Sequence, residues 1–137
     1  MTDRKYMCSN QLYEMSGGTG SLRYMAPEVA KNLPYNYKAE VYTFGIILSE
    51  LLSHKKPFGG ITVDKYFKYV VYGGTRPHVS RKWPNELSEL MQKCWSSDIV
   101  SRPSFSEVAS ILDSALNTLN TKPSLQVTFK STVARKA

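Results

Sequence analysis

The sequence predicts a mainly α-helical fold, with helices gathered around one central apolar helix behind an N-terminal loop segment. Four runs place apolar residues at helical spacing, no strand-like run has an evident partner, and residues 1–25 have loop character.

The first run is Lys38 to Ser53, KAEVYTFGIILSELLS. Val41, Phe44, Gly45, Leu48, Leu51 and Leu52 follow the i, i+3, i+4, i+7 pattern, and Ile46 and Ile47 extend the apolar surface around the cylinder. A helix apolar nearly all round belongs at the centre of a core. The second run, Val63 to Tyr72, has Thr62 as its N-cap and stops at Gly73-Gly74. Its aromatics, Tyr66, Phe67, Tyr69 and Tyr72, do not share one α-helical stripe, which suits partial packing or a docking surface. The third run goes from about Pro84, placed in the first turn, to Trp95. Leu87, Leu90, Met91, Cys94 and Trp95 form its apolar face, so Cys94 reads as a core residue. The fourth begins at Ser104, which makes a capping box with Glu107. Phe105, Val108, Ala109, Leu112, Ala115, Leu116 and Leu119 line one side, and the periodicity ends after Asn120. Residues 120–137 read as a basic, disordered tail, in which LQVTF (125–129) has strand character but no evident partner.

Composition narrows the function. Hydrophobic residues make up 42% and charged residues 21% of 137, an ordinary balance for a globular chain. FGIILSELL, the longest membrane candidate, is broken by Ser49 and Glu50, and MTDRKYMCSNQ has no apolar stretch to make a signal peptide. Two cysteines, Cys8 and Cys94, are too few for a disulfide framework and lack metal-ligand spacing, so a reducing cytoplasmic or nuclear compartment is expected. The net charge of +7 owes four units to Lys122, Lys130, Arg135 and Lys136 in an acid-free tail, leaving a body with mixed signs. No nucleic-acid or membrane partner is expected from that distribution.

An ordered series of short motifs remains: GTGSLRYMAPEV from residue 18, KAEVYTFGIILSELL from 38, PF at 57–58, GGTRP at 73–77, LMQKCW at 90–95 and SRPSF at 101–105. This series resembles the C-terminal lobe of a protein kinase domain, from the activation segment to the last helix, and specifically the tyrosine-kinase-like group of Ser/Thr kinases. The resemblance covers about residues 10–119 and implies a division into an activation-segment remnant (1–25), a helical lobe (26–119) and the tail (120–137), with no complete small lobe. It also implies roles. Glu28, in Ala26-Pro27-Glu28, pairs with Arg102 as a structural ion pair, for which a planar guanidinium gripping a carboxylate is well suited. Gly20, Ser21, Leu22, Arg23 and Tyr24 make the platform on which substrate peptide lies, and Ser21 also matches a hydroxyl that reaches toward the catalytic residues. Thr19, then Ser16 and Ser21, are the candidate phosphorylation sites in the activation segment. Glu40 stands where the family has an Asp that anchors the catalytic loop, and its extra methylene must fit a tightly packed place.

The sequence holds no G-x-G-x-x-G after a strand, no V-A-I-K, no H-R-D and no D-F-G, so it carries no catalytic, cofactor-binding or metal-binding residues of the family pattern. His54 and His78 lie in loop contexts that match none of these and read as surface residues. The expectation is a partial kinase domain, inactive alone, whose complete form phosphorylates protein Ser/Thr, with Tyr left open, using ATP and magnesium. Protein substrates or other kinases are the expected partners. The alternative is a non-catalytic, pseudokinase-like interaction module.

Overall fold

A computed structural model of the chain describes residues 22–121. The expectations for Ser16, Thr19, Gly20, Ser21 and the tail beyond 121 lie outside the described residues. The order of elements is a 3-10 turn (Leu22–Tyr24), α1 (Pro27–Ala30), α2 (Lys38–Ser53), α3 (Val63–Lys65) running into a π-helix (Tyr66–Tyr72), α4 (Asn85–Cys94) and α5 (Phe105–Thr121). No strand occurs among the described residues. Contacts divide the chain into two units, with the boundary between Ser104 and Phe105.

Helix α2 spans Lys38–Ser53, the residues its periodicity predicts. The buried face overlaps the predicted one at Val41, Gly45, Ile46 and Leu48 and is otherwise turned from it. Val41, Tyr42, Gly45, Ile46, Leu48 and Ser49 are buried, whereas Leu51 is 65% exposed and Ile47 41%. Two polar side chains have displaced apolar ones for identifiable reasons. Ser49 satisfies its hydroxyl within the helix by donating to the Ile46 carbonyl at 2.8 Å, so its burial leaves no orphan donor. Tyr42 places its ring under two guanidinium groups, those of Arg76 and Arg102, at 5.0 and 5.2 Å from the ring centroid. The helix stops at His54, whose left-handed backbone (φ 55°) returns its N–H to the Glu50 carbonyl.

Helix α2 packs chiefly on α4, where Leu90, Met91, Cys94 and Trp95 are buried as the periodicity predicts. Pro84 caps α4 from outside instead of standing in its first turn. The two helices meet at Gly45, where an added Cβ would lie 2.8 Å from Cys94 Cβ and 3.2 Å from the Met91 carbonyl oxygen. Burial pushes the Cys94 thiol up to about 11, which keeps it a neutral core group and agrees with its reading as structural.

A second cluster joins α1 to the π-helix: Ala30, Tyr66, Val70 and Val71 are buried, with Leu22, Met25, Phe58, Ile61 and Phe67 packed against them. The sequence predicts one α-helix over 63–72; the structure opens it to π geometry after Lys65. Bonding from i to i+5 brings i, i+4 and i+5 onto one side, so Tyr66, Val70 and Val71 share a face that α spacing does not reveal. Thr62 caps the start, its hydroxyl accepting from the Lys65 N–H at 3.4 Å. At the other end an added Cβ on Gly73 would sit 2.6 Å from the Tyr69 carbonyl oxygen, so only glycine fits there without a shift.

In the second unit, α5 runs over Phe105–Thr121, directly after Ser104. Val108 and Ala115 are buried and Leu112 is half-buried, but Phe105 and Leu116 are exposed, so the buried stripe is narrower than the predicted one. No helix among the described residues is long and apolar enough to cross a membrane.

The close approach at Gly45 makes a direct prediction. Alanine would add about 1 kcal/mol of helix propensity, yet overpacking of this kind costs about 1–3 kcal/mol. Gly45→Ala therefore lowers the thermal midpoint of the full chain, read by far-UV circular dichroism, and a raised midpoint would contradict the packing described.

Candidate functional site: a stapled turn

The site is built from a turn, a very short helix and one buried ion pair. Pro27 opens α1 with φ already set for a helix, and Glu28 follows in the first turn, where a carboxylate complements the N-terminal end of the backbone. With only four residues, α1 cannot hold itself in water. Its position comes from tertiary contacts, above all from Glu28.

Arg102 reaches Glu28 across 74 positions of sequence with both arms of its fork: Nη1 donates to Oε1 at 2.6 Å and Nη2 to Oε2 at 3.0 Å. The pair is buried, Arg102 at 1% exposure and Glu28 at 6%. The rest of the guanidinium is also engaged. Nε donates to the Ser96 carbonyl at 2.9 Å and Nη1 to the Lys38 carbonyl at 3.0 Å, while Lys38 Nζ returns a hydrogen bond to the Arg102 carbonyl. Arg102 thus ties α1, the first residue of α2 and the turn after α4 to one planar group. Asp98 shapes that turn, accepting from the Val100 N–H at 3.2 Å and from the Ser101 hydroxyl at 2.5 Å.

Leu22, Arg23 and Tyr24 form the 3-10 turn immediately before α1. Arg23 Nη1 donates to the Pro57 carbonyl at 2.9 Å, and the Tyr24 hydroxyl donates to Glu50 Oε2 at 2.5 Å. That bond, more than the partial burial and the negative charge of Glu50, raises the tyrosine pKa above its ordinary value. The Thr43 hydroxyl donates to the Tyr24 carbonyl at 2.7 Å. The turn therefore rests on α2 through both the backbone and the side chain of Tyr24.

Of the residues singled out in the sequence, the structure brings Glu28 and Arg102 together and places Leu22, Arg23 and Tyr24 on one turn. Glu40 is apart from them, exposed in the first turn of α2, and its carboxylate bonds to no other described residue. His54 and His78 are exposed. The sequence pattern does not single out Glu50, Thr43, Lys38 or Arg76. Arg76 lies in the GGTRP motif and holds the Trp95 carbonyl through Nε at 3.0 Å, the Val70 carbonyl through Nη1 at 3.3 Å and the Ser97 hydroxyl through Nη2 at 3.3 Å. Both arginines that precede a proline within a motif, Arg76 and Arg102, lie over the buried Tyr42 ring, whose pKa burial raises against their opposing charges. That shared Arg-Pro pattern is the sequence signal that could have singled out Arg76.

Comparison with known proteins identifies the family. The family model described as protein tyrosine and serine/threonine kinase matches residues 2–112. Serine/threonine-protein kinase VIK of Arabidopsis thaliana is 38% identical over 115 residues, covering 84% of this chain and 26% of that protein. Serine/threonine-protein kinase STY17 of the same plant is 37% identical over 99 residues, 72% of this chain and 17% of that protein. Mitogen-activated protein kinase kinase kinase 7 of Homo sapiens is 37% identical over 99 residues, 72% of this chain and 16% of that protein. The chain belongs to the protein tyrosine and serine/threonine kinase family, and its helical fold is that of the kinase C-terminal lobe. It spans about a sixth to a quarter of the length of these relatives.

Breaking a buried ion pair from one side leaves an uncompensated charge, at a cost of about 3–5 kcal/mol. Glu28→Ala is expected to lower unfolding free energy by that amount in urea titration. Arg102→Lys keeps the charge but loses the fork and the bond to Ser96, and should recover less than half of it. Full recovery by lysine would show that charge alone, and not the planar geometry, holds α1.

Proposed function

We propose that this chain supplies the peptide-facing part of a protein kinase catalytic domain, which in complete form transfers phosphate from ATP to Ser or Thr of protein substrates. The observation that carries the reading is the fixed turn Leu22–Tyr24, bonded to α2 through Thr43 and Glu50 and followed by the stapled α1. A substrate backbone needs such a pre-set floor, because positioning supplies much of the rate in phosphoryl transfer. In this reading Gly20 and Ser21 continue the platform, Thr19, Ser16 and Ser21 lie in the phosphorylated loop, and Glu40 anchors a catalytic loop.

The residues present do not fit a nucleotide or a metal. Among the described residues no group of three His, Cys, Asp or Glu side chains could hold a metal ion, and the sequence lacks the glycine-rich, lysine and D-F-G signatures that bind ATP and magnesium. A second reading, an interaction module without catalysis, draws support from the outward tyrosines of the π-helix, Tyr69 at 46% and Tyr72 at 70% exposure.

Two assays separate these readings. The 137-residue chain alone should show no saturable ATP binding by equilibrium dialysis. The native polypeptide that carries this sequence, isolated by antibody, should label a mixed Ser/Thr peptide library from ATP, with phosphate on Ser and Thr, and Tyr24→Phe should lower the rate. A native polypeptide that binds partners but neither binds ATP nor labels peptide would overturn the first reading in favour of the second.

A further inference from the structure

Away from the ion pair, a cleft of about 410 Å³ opens between the C-terminal end of α2, the loop after it and the loop before α4. Its apolar lining includes Leu52, Pro57, Phe58 and Trp83. Pro57 is buried and the other three are half-buried, so the cleft offers apolar surface that the fold has not fully covered. Lys55, Lys56 and His78 also line it and are exposed. No Asp or Glu lines it, and none occurs in residues 51–63 or 75–85, from which most of the lining comes; the same stretches hold His54, Arg81 and Lys82 as well.

We propose that this cleft is a docking site for an acidic peptide segment carrying one large apolar anchor residue. Charge and shape select that occupant together. The lysines leave a positive rim with no partner among the described residues, and a negatively charged segment is the complementary ligand. The apolar floor gives nothing to a simple anion but accepts a Phe or Leu side chain, and the volume falls within the range of small binding clefts. The wall is held in place. Phe58 has a left-handed backbone (φ 54°) and meets the Tyr66 ring edge-on with centroids 5.4 Å apart, and the Pro57 carbonyl accepts from Arg23. The same wall therefore supports both the cleft and the Leu22–Tyr24 turn. The proposal does not rest on phosphoryl transfer, because it needs only the described residues.

The test uses the full chain and a fluorescein-labelled peptide Glu-Asp-Glu-Phe-Glu-Asp-Glu, read by fluorescence polarisation. Saturable binding is expected. Replacing the peptide Phe by Ala, or reversing both rim charges with Lys55→Glu and Lys56→Glu, should each weaken it about tenfold or more. Circular dichroism checks that the variant keeps its helices, which it should, because both lysines are exposed. No binding by the folded chain would overturn the proposal, as would equal affinity for the charge-reversed variant. An Ala peptide that binds as well as the Phe peptide, or inorganic phosphate or phosphatidylserine vesicles that displace the peptide with the same dependence on Lys55 and Lys56, would make the site a general anion site and overturn it too.

Discussion

The bidentate pair between Glu28 and Arg102 is the constraint on which the first unit depends. Two charges taken out of water are expensive, and their attraction repays the cost only with good geometry and with the remaining donors satisfied. The geometry is good and four of the five guanidinium N–H groups are engaged: two parallel bonds go to the carboxylate and one each to the Ser96 and Lys38 carbonyls, with a tyrosine ring beneath. What the pair supplies is uniqueness of position. A four-residue helix has no stability of its own, and an apolar contact would let it slide, whereas a planar fork matched to a carboxylate allows one register.

The remaining architecture transmits that constraint. Helix α2 receives it at Lys38 and carries it along its length to Thr43 and Glu50, which together grip Tyr24. The same helix meets α4 at Gly45, close enough that no side chain fits between them. Rigid contact on one side and hydrogen bonds on the other make α2 the bar to which the Leu22–Tyr24 turn is fixed. Stability of a domain is only about 5–15 kcal/mol, so a staple whose loss costs several kcal/mol decides whether the turn stays ordered.

The sequence made the elements legible where local signals were dense. The limits of α2 follow from its apolar spacing, and those of α4 from Pro84 and the Leu90–Met91–Cys94 stripe. The pairing of Glu28 with Arg102 was readable only through the ordered motifs, because nothing local joins residues so far apart. The buried face of α2 was misjudged for a physical reason: Tyr42 and Ser49 are polar by type but satisfied or stacked in place, while Leu51 and Ile47 are apolar and face outward. The π geometry was hidden because periodicity analysis assumes an α-helical turn, and YFKYVVY reads as scattered on it. Tyr24–Glu50 and the contacts of Arg76 are set by tertiary geometry alone. Ser16, Thr19, Gly20 and Ser21 fall outside the described residues, and their roles rest on the motif.

Amide hydrogen exchange on Glu28→Gln tests the account most directly, because it reads the platform and the bar separately. Removing the charge while keeping the shape should free the amides of Val29, Ala30 and Lys31, which bond back to Ala26 and Pro27, and that of Met25, which bonds to Leu22. Amides inside α2 around Ile46 and Leu48 should keep their protection. Unchanged protection at α1, or an even loss through α2 as well, would contradict the claim that one ion pair holds α1 and the turn before it in place.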